Sequence, residues 1–119
     1  MEERNSVTIK DVEHIGQVKI ADEVVAIIAN LAAEEIEGVK GIGGIPSSKK
    51  NRRNFTKGVS IDIVENEVIC DVIIGVDYGI KIKDVAQQVQ EKIKSAIETM
   101  TGLNVREVNV SITSIHMLK

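Results

Sequence analysis

Apolar and polar positions alternate in some stretches of this chain and recur at helical spacing in others. Ile15-Gly16-Gln17-Val18-Lys19-Ile20 alternates and predicts a short edge strand. Asp22 is placed to cap a helix, in which Val24, Ile27, Ile28, Leu31, Ala32 and Ile36 recur at helical spacing. Val25, Ala26, Ala29 and Ala33 widen that stripe, so this helix is expected to be buried on more than one side. Gly38 is placed to end it, and 39–45 reads as a short strand made pliable by Gly41, Gly43 and Gly44. Residues 46–57 read as a loop.

The second half is patterned more cleanly. Val59, Ile61 and Ile63 alternate with Ser60 and Asp62, and Glu65-Asn66 reads as a hairpin turn. The returning strand, 68–78, is apolar on both faces and so is expected at the centre of a sheet. Ile82, Val85, Ala86, Val89, Ile93, Ala96, Ile97 and Met100 form one helical stripe, ended by Gly102. Val108, Val110 and Ile112 then alternate with Glu107, Asn109, Ser111 and Thr113, so one face of the sheet is expected to meet water.

This order predicts a two-layer α+β domain, two helices on one face of a small mixed or antiparallel sheet, in the order β-α-β-β-β-α-β with a short first strand. The expected organisation is a flexible N-terminus at 1–14 and a single domain at 15–116 with a basic loop at 46–57. Two openings resemble each other, Lys19-Ile20-Ala21-Asp22 and Lys81-Ile82-Lys83-Asp84, each followed by a helix, a glycine and a Val-bearing segment. Apolar helices resemble each other by necessity, so a structural pseudo-repeat is a weak expectation.

Composition narrows the functional classes. At 119 residues and 43% hydrophobic content, the chain can bury one modest core. Phe55 and Tyr78 are its only aromatics, which counts against single-stranded RNA binding by base stacking. Lys49, Lys50, Arg52, Arg53 and Lys57 stand together without an acid, whereas the remaining residues hold 10 bases against 18 acids. An acidic body with one basic loop is a dipolar surface that can steer partners. The loop reads either as solvated or as a contact for a partner or an anion, such as phosphates, lipid headgroups or an acidic protein face.

Candidate chemistry is sparse. His14 and His116 lie near the two ends, away from any orienting neighbour, and read as surface histidines. Cys70 sits on an apolar strand face and reads as a buried small hydrophobe; as the lone cysteine it allows no internal disulfide, which fits a reducing cytoplasm. Asp71 and Asp77 share the opposite face without a partner and read as solvated. Gly41-Ile42-Gly43-Gly44 has the spacing of a backbone-clamping loop but lacks a helix after it, so turn glycines are the better reading. No catalytic, metal or cofactor-binding set emerges. The opening residues carry no secretory apolar run, and no stretch nears the roughly 20 apolar residues that span a bilayer.

Three segments carry a family resemblance. They are Gly16-Gln17-Val18-Lys19-Ile20-Ala21 with its Ala-rich helix and Gly38-Val39; Val76-Asp77-Tyr78-Gly79-Ile80-Lys81-Ile82 leading into Val85-Ala86-Gln87-Gln88-Val89-Gln90; and Met100-Thr101-Gly102-Leu103 with Val108-Asn109-Val110. Together they resemble the alkaline shock protein family, envelope stress response proteins of Gram-positive bacteria, over about residues 15–116. The resemblance implies a non-enzymatic, cytoplasmic protein-interaction module in cell-envelope homeostasis. It implies recruitment to the membrane or to lipid-metabolism proteins by a partner, such as an integral-membrane anchor, and allows a homo-oligomer. The alternatives are a nucleic-acid-binding regulator using the basic loop and a regulator of a fatty-acid synthesis enzyme.

Overall fold

The strand that is apolar on both faces organises the fold. In the computed structural model, which describes residues 6–10, 16–42, 55–56 and 58–117, β6 (Glu67–Asp77) has a strand neighbour on each side. On one side the N-terminal half of β6 pairs antiparallel with β5 (Val59–Val64), and its C-terminal end pairs antiparallel with β3 (Val39–Ile42). Beyond β5 lies the two-residue strand β4 (Phe55–Thr56). On the other side β7 (Asn104–His116) runs parallel to β6 along its whole length. A parallel neighbour requires a long crossover, and α2 (Ile82–Thr101) supplies it. The β5–β6 hairpin closes through Glu65 and Asn66, both at positive φ (53° and 70°), the backbone of a tight primed turn.

Helices α1 (Asp22–Glu34) and α2 lie side by side on one face of this mixed sheet, α1 over β5 and β3, α2 over β7. Between the layers Val25, Ile28, Val59, Ile61, Val68, Cys70, Val72, Ile74, Val76, Val89, Ile93 and Ile97 form one aliphatic core. A Lys92–Glu35 ion pair of 3.0 Å spans the two helices. The predicted α+β order is therefore present, with two further short strands. One is β4; the other is β1 (Ser6–Lys10), which pairs antiparallel with β2 (Gln17–Ala21) in a separate two-stranded sheet.

Several details differ from the sequence pattern. Asp22 is not a cap: Ala21 holds the extended N-cap position and makes no side-chain bond, so Asp22 becomes the first helical residue and is buried. Burial, and secondarily the Asp62 charge, push its carboxyl above the usual aspartate range. Helix α1 ends at Glu34, four residues before Gly38, which instead turns the chain into β3 at φ +100° against Val85. On α2 the stripe is buried from Val85 to Ile97, whereas Ile82 and Met100 at its ends are exposed. Gly102 does end α2, in the left-handed conformation at φ 79°. There the Thr101 hydroxyl donates to the Ile97 carbonyl at 2.6 Å and accepts the Leu103 N–H at 3.1 Å.

The largest difference is on α1. Its core side is closed by Val25, Ala26, Ala29, Ala32 and Ala33. The opposite side carries Val24, Ile27 and Leu31 at 47%, 44% and 55% exposure, so in the isolated chain the helix is buried on one side only.

Candidate interaction surfaces

The five cations Lys49, Lys50, Arg52, Arg53 and Lys57 lie outside the described residues, as does His14. The strands that bracket the basic stretch, β3 and β4, both pack beside α1. This side of the molecule is acidic: between Ala21 and Val39 the chain holds Asp22, Glu23, Glu34, Glu35 and Glu37 and no base.

The sheet face away from the helices is mostly polar, as the alternation along β7 predicted, with Ile69 and Ile73 of β6 half-buried on it. Asn109 donates to Asp71 at 2.9 Å and to Glu107 at 3.3 Å, which ties β7 to β6 on that face. Lys40 lies 3.6 Å from Asp77, and Arg106 lies 3.9 Å from Glu67. The Asp77 ion pair is longer than a hydrogen bond, and its Oδ1 accepts no hydrogen bond. Asp71 and Asp77 are thus separately engaged and do not form an acid pair. At one end, Ser114 and the His116 ring lie over Gly75, where a Cβ would collide with the Ser114 hydroxyl. His116 is exposed.

The free edge of β7 is the second surface. Opposite Cys70, Val108 turns its carbonyl away from β6, where Gln90 of α2 donates to it at 3.0 Å. The Val105 N–H is met in the same way by the Glu98 carboxylate at 3.0 Å. The Lys94 ammonium, 2.9 Å from Glu98, then the Val105 N–H, hold that carboxyl below the usual glutamate range. Two side chains of α2 therefore occupy backbone groups that an added strand would use, one way in which edges are protected. Beyond Val108 the strand runs to His116 without a carboxylate, lysine, arginine or proline, interrupted by a bulge at Thr113. Gln90 and Glu98 were not foreseeable as edge caps, because their partners are set by tertiary packing.

The depressions formed by described residues alone are open rather than enclosed. Two open depressions flank α2: one of about 170 Å3 lined by Gln90, Glu91, Lys94 and Val105 to Val108, the other of about 310 Å3 by Glu91, Lys94, Ser95, Glu98 and Thr99. Both are shallower than the clefts that bury small ligands. Cys70 is buried, and burial, then the Asp71 charge, push its thiol up to about 12, so it is not nucleophilic at neutral pH. Among the described residues no group of three or more His, Cys, Asp or Glu side chains could hold a metal ion. Nor is any helix there long and apolar enough to cross a membrane.

These features define a small two-layer α+β domain whose accessible chemistry lies on its surfaces. The chain belongs to the alkaline shock protein 23 family, described as having a cell envelope-related function, whose sequence model matches residues 10–117. It is 37% identical over 106 residues to the uncharacterized protein YqhY of Bacillus subtilis, covering 86% of this chain and 78% of that one. It is 32% identical over 108 residues to YloU of the same organism, covering 86% and 90%. A Streptococcus pyogenes stress response regulator gls24 homolog is 26% identical over 105 residues, covering 84% of this chain and 59% of that longer protein. Among solved structures, the MamM CTD in a zinc form aligns with TM-score 0.50 and 21% identity over 77% of this chain and 84% of that one, a likeness of fold alone.

Proposed function

We propose that this protein is a non-enzymatic interaction module in cell-envelope homeostasis and stress response, brought to the membrane or to lipid-metabolism proteins by a partner. The observation that carries the reading is membership of an envelope-related family across residues 10–117, and the exposed contact faces among the described residues support it. The stress-regulator name of the streptococcal relative points the same way. In this reading the protein works in the cytoplasm, and the partner supplies the membrane attachment.

Lys49, Lys50, Arg52, Arg53 and Lys57 are the proposed electrostatic contact, and the uncharged part of the β7 edge offers backbone groups for strand addition, including self-assembly. The test is membrane fractionation of native host cells expressing the wild type or a variant with Lys49, Lys50, Arg52 and Arg53 changed to Gln. Recruitment should fall in the variant while its melting temperature holds. Unchanged recruitment removes the loop from the mechanism, and binding of RNA that disappears with the loop charges would favour the nucleic-acid alternative.

A further inference from the structure

The side of α1 turned away from the core is apolar, exposed and bordered by acceptors. Val24, Ile27 and Leu31 stand at i, i+3 and i+7, with Val18 of the preceding strand 58% exposed. Together they leave on the order of 300 Å2 of apolar surface open, the size of patch that on a monomer is often functional. A helix that is apolar nearly all round is normally covered on both sides. Along one flank of this stripe lie Glu23, Asn30 and Glu34, at helical offsets of seven and four. Glu23 and Glu34 are exposed, whereas Asn30 between them is buried, its Oδ1 shielded from solvent. The flank thus presents two carboxylates.

We infer that this face of α1 docks a cationic amphipathic helix of a partner protein, with apolar anchors on Val24, Ile27 and Leu31 and lysine or arginine donors toward Glu23 and Glu34. Charge selects this occupant. An anionic lipid surface would be repelled by the acidic flank. A second copy docking α1 on α1 would set Glu23 against Glu34 at both ends of an antiparallel pair. Helix-on-helix anchoring at i, i+3 and i+7 is a standard recognition mode. The inference rests on the reading of this chain as an interaction module, but the two fail separately: a partner recruited through the basic loop or the β7 edge would leave that reading standing and this face empty.

The test uses the full chain and two synthetic helices of ~18 residues, long enough to be helical. Both carry leucine at the same positions, one with lysine and the other with glutamate elsewhere. By calorimetry in about 0.15 M salt, the lysine peptide should bind saturably, one per chain, and the glutamate peptide should not. Ile27→Asp and Leu31→Asp, both at exposed positions, should each weaken binding at least tenfold while the chain still unfolds in one cooperative transition above the assay temperature. Glu23→Gln with Glu34→Gln should weaken it several-fold and flatten its salt dependence. Equal binding of the lysine peptide to Ile27→Asp, or equal affinity for the glutamate peptide, overturns the inference. So does sedimentation showing a wild-type dimer that Ile27→Asp dissociates, because a second copy would then own the face.

Discussion

Truncating one isoleucine on each helix separates the core from the contact surface. Ile93 lies at 0% exposure in the middle of α2, while Ile27 on α1 is 44% exposed. Isoleucine to alanine removes three carbons, each worth about 0.8 kcal/mol when fully buried. At Ile93 the transfer loss is then roughly 2.4 kcal/mol, and the cavity left in the core carries it into the range of about 2–5 kcal/mol. At Ile27 only part of the side chain is removed from water, and alanine returns a few tenths of a kcal/mol in helix propensity, so the net loss should stay below about 1 kcal/mol. For a domain with about 5–15 kcal/mol of stability, the first change is severe and the second mild. Urea unfolding with linear extrapolation measures both, with a constant slope confirming that the same surface is exposed. If Ile27→Ala cost as much as Ile93→Ala, the outer side of α1 would be covered within the isolated chain, and its assignment to a partner would be wrong.

Gly38→Ala should destabilise by about 1–2 kcal/mol, because φ is +100° and the new Cβ would stand 3.2 Å from Val85; a melting curve reads it, and an unchanged midpoint contradicts that backbone. Asp22, buried with its carboxyl pKa raised by burial and then by Asp62, favours the fold when protonated. Its contribution is full below the unfolded aspartate pKa and is lost as pH rises through the higher folded value. Asp22→Asn should therefore raise stability at neutral pH and lose that advantage in acid, and a pH-independent difference would refute the assignment. Cys70, its thiol pushed up to about 12, should resist a thiol reagent at pH 8 until the protein unfolds, so rapid native labelling would show that β6 is not central.

The central strand, both helices and the Glu65-Asn66 turn were legible because each rests on a local period or a turn residue. β6 announced its position through Val68, Cys70, Val72, Ile74 and Val76 on one face with Ile69 and Ile73 on the other. The direction of β7 was not legible from alternation, which is the same in parallel and antiparallel strands. The Asp22 cap failed because β2 runs directly into α1 at Ala21, which moves the carboxylate inside the first turn. The pseudo-repeat also does not align at the backbone: α1 opens at its Asp, whereas α2 opens at Ile82, two residues before Asp84. The all-round apolar character of α1 was visible in the residues, and only the structure showed which side is left uncovered. The basic cluster was equally visible, and its geometry lies outside the described residues.

The most direct measurement is quantitative affinity purification of the tagged protein from detergent-solubilised native host cells, with protein and RNA both counted per bait molecule. An interaction module of the envelope should bring down a membrane protein or a lipid-synthesis protein in near-stoichiometric amount. Recovery of RNA in that amount, with no such protein, would contradict it.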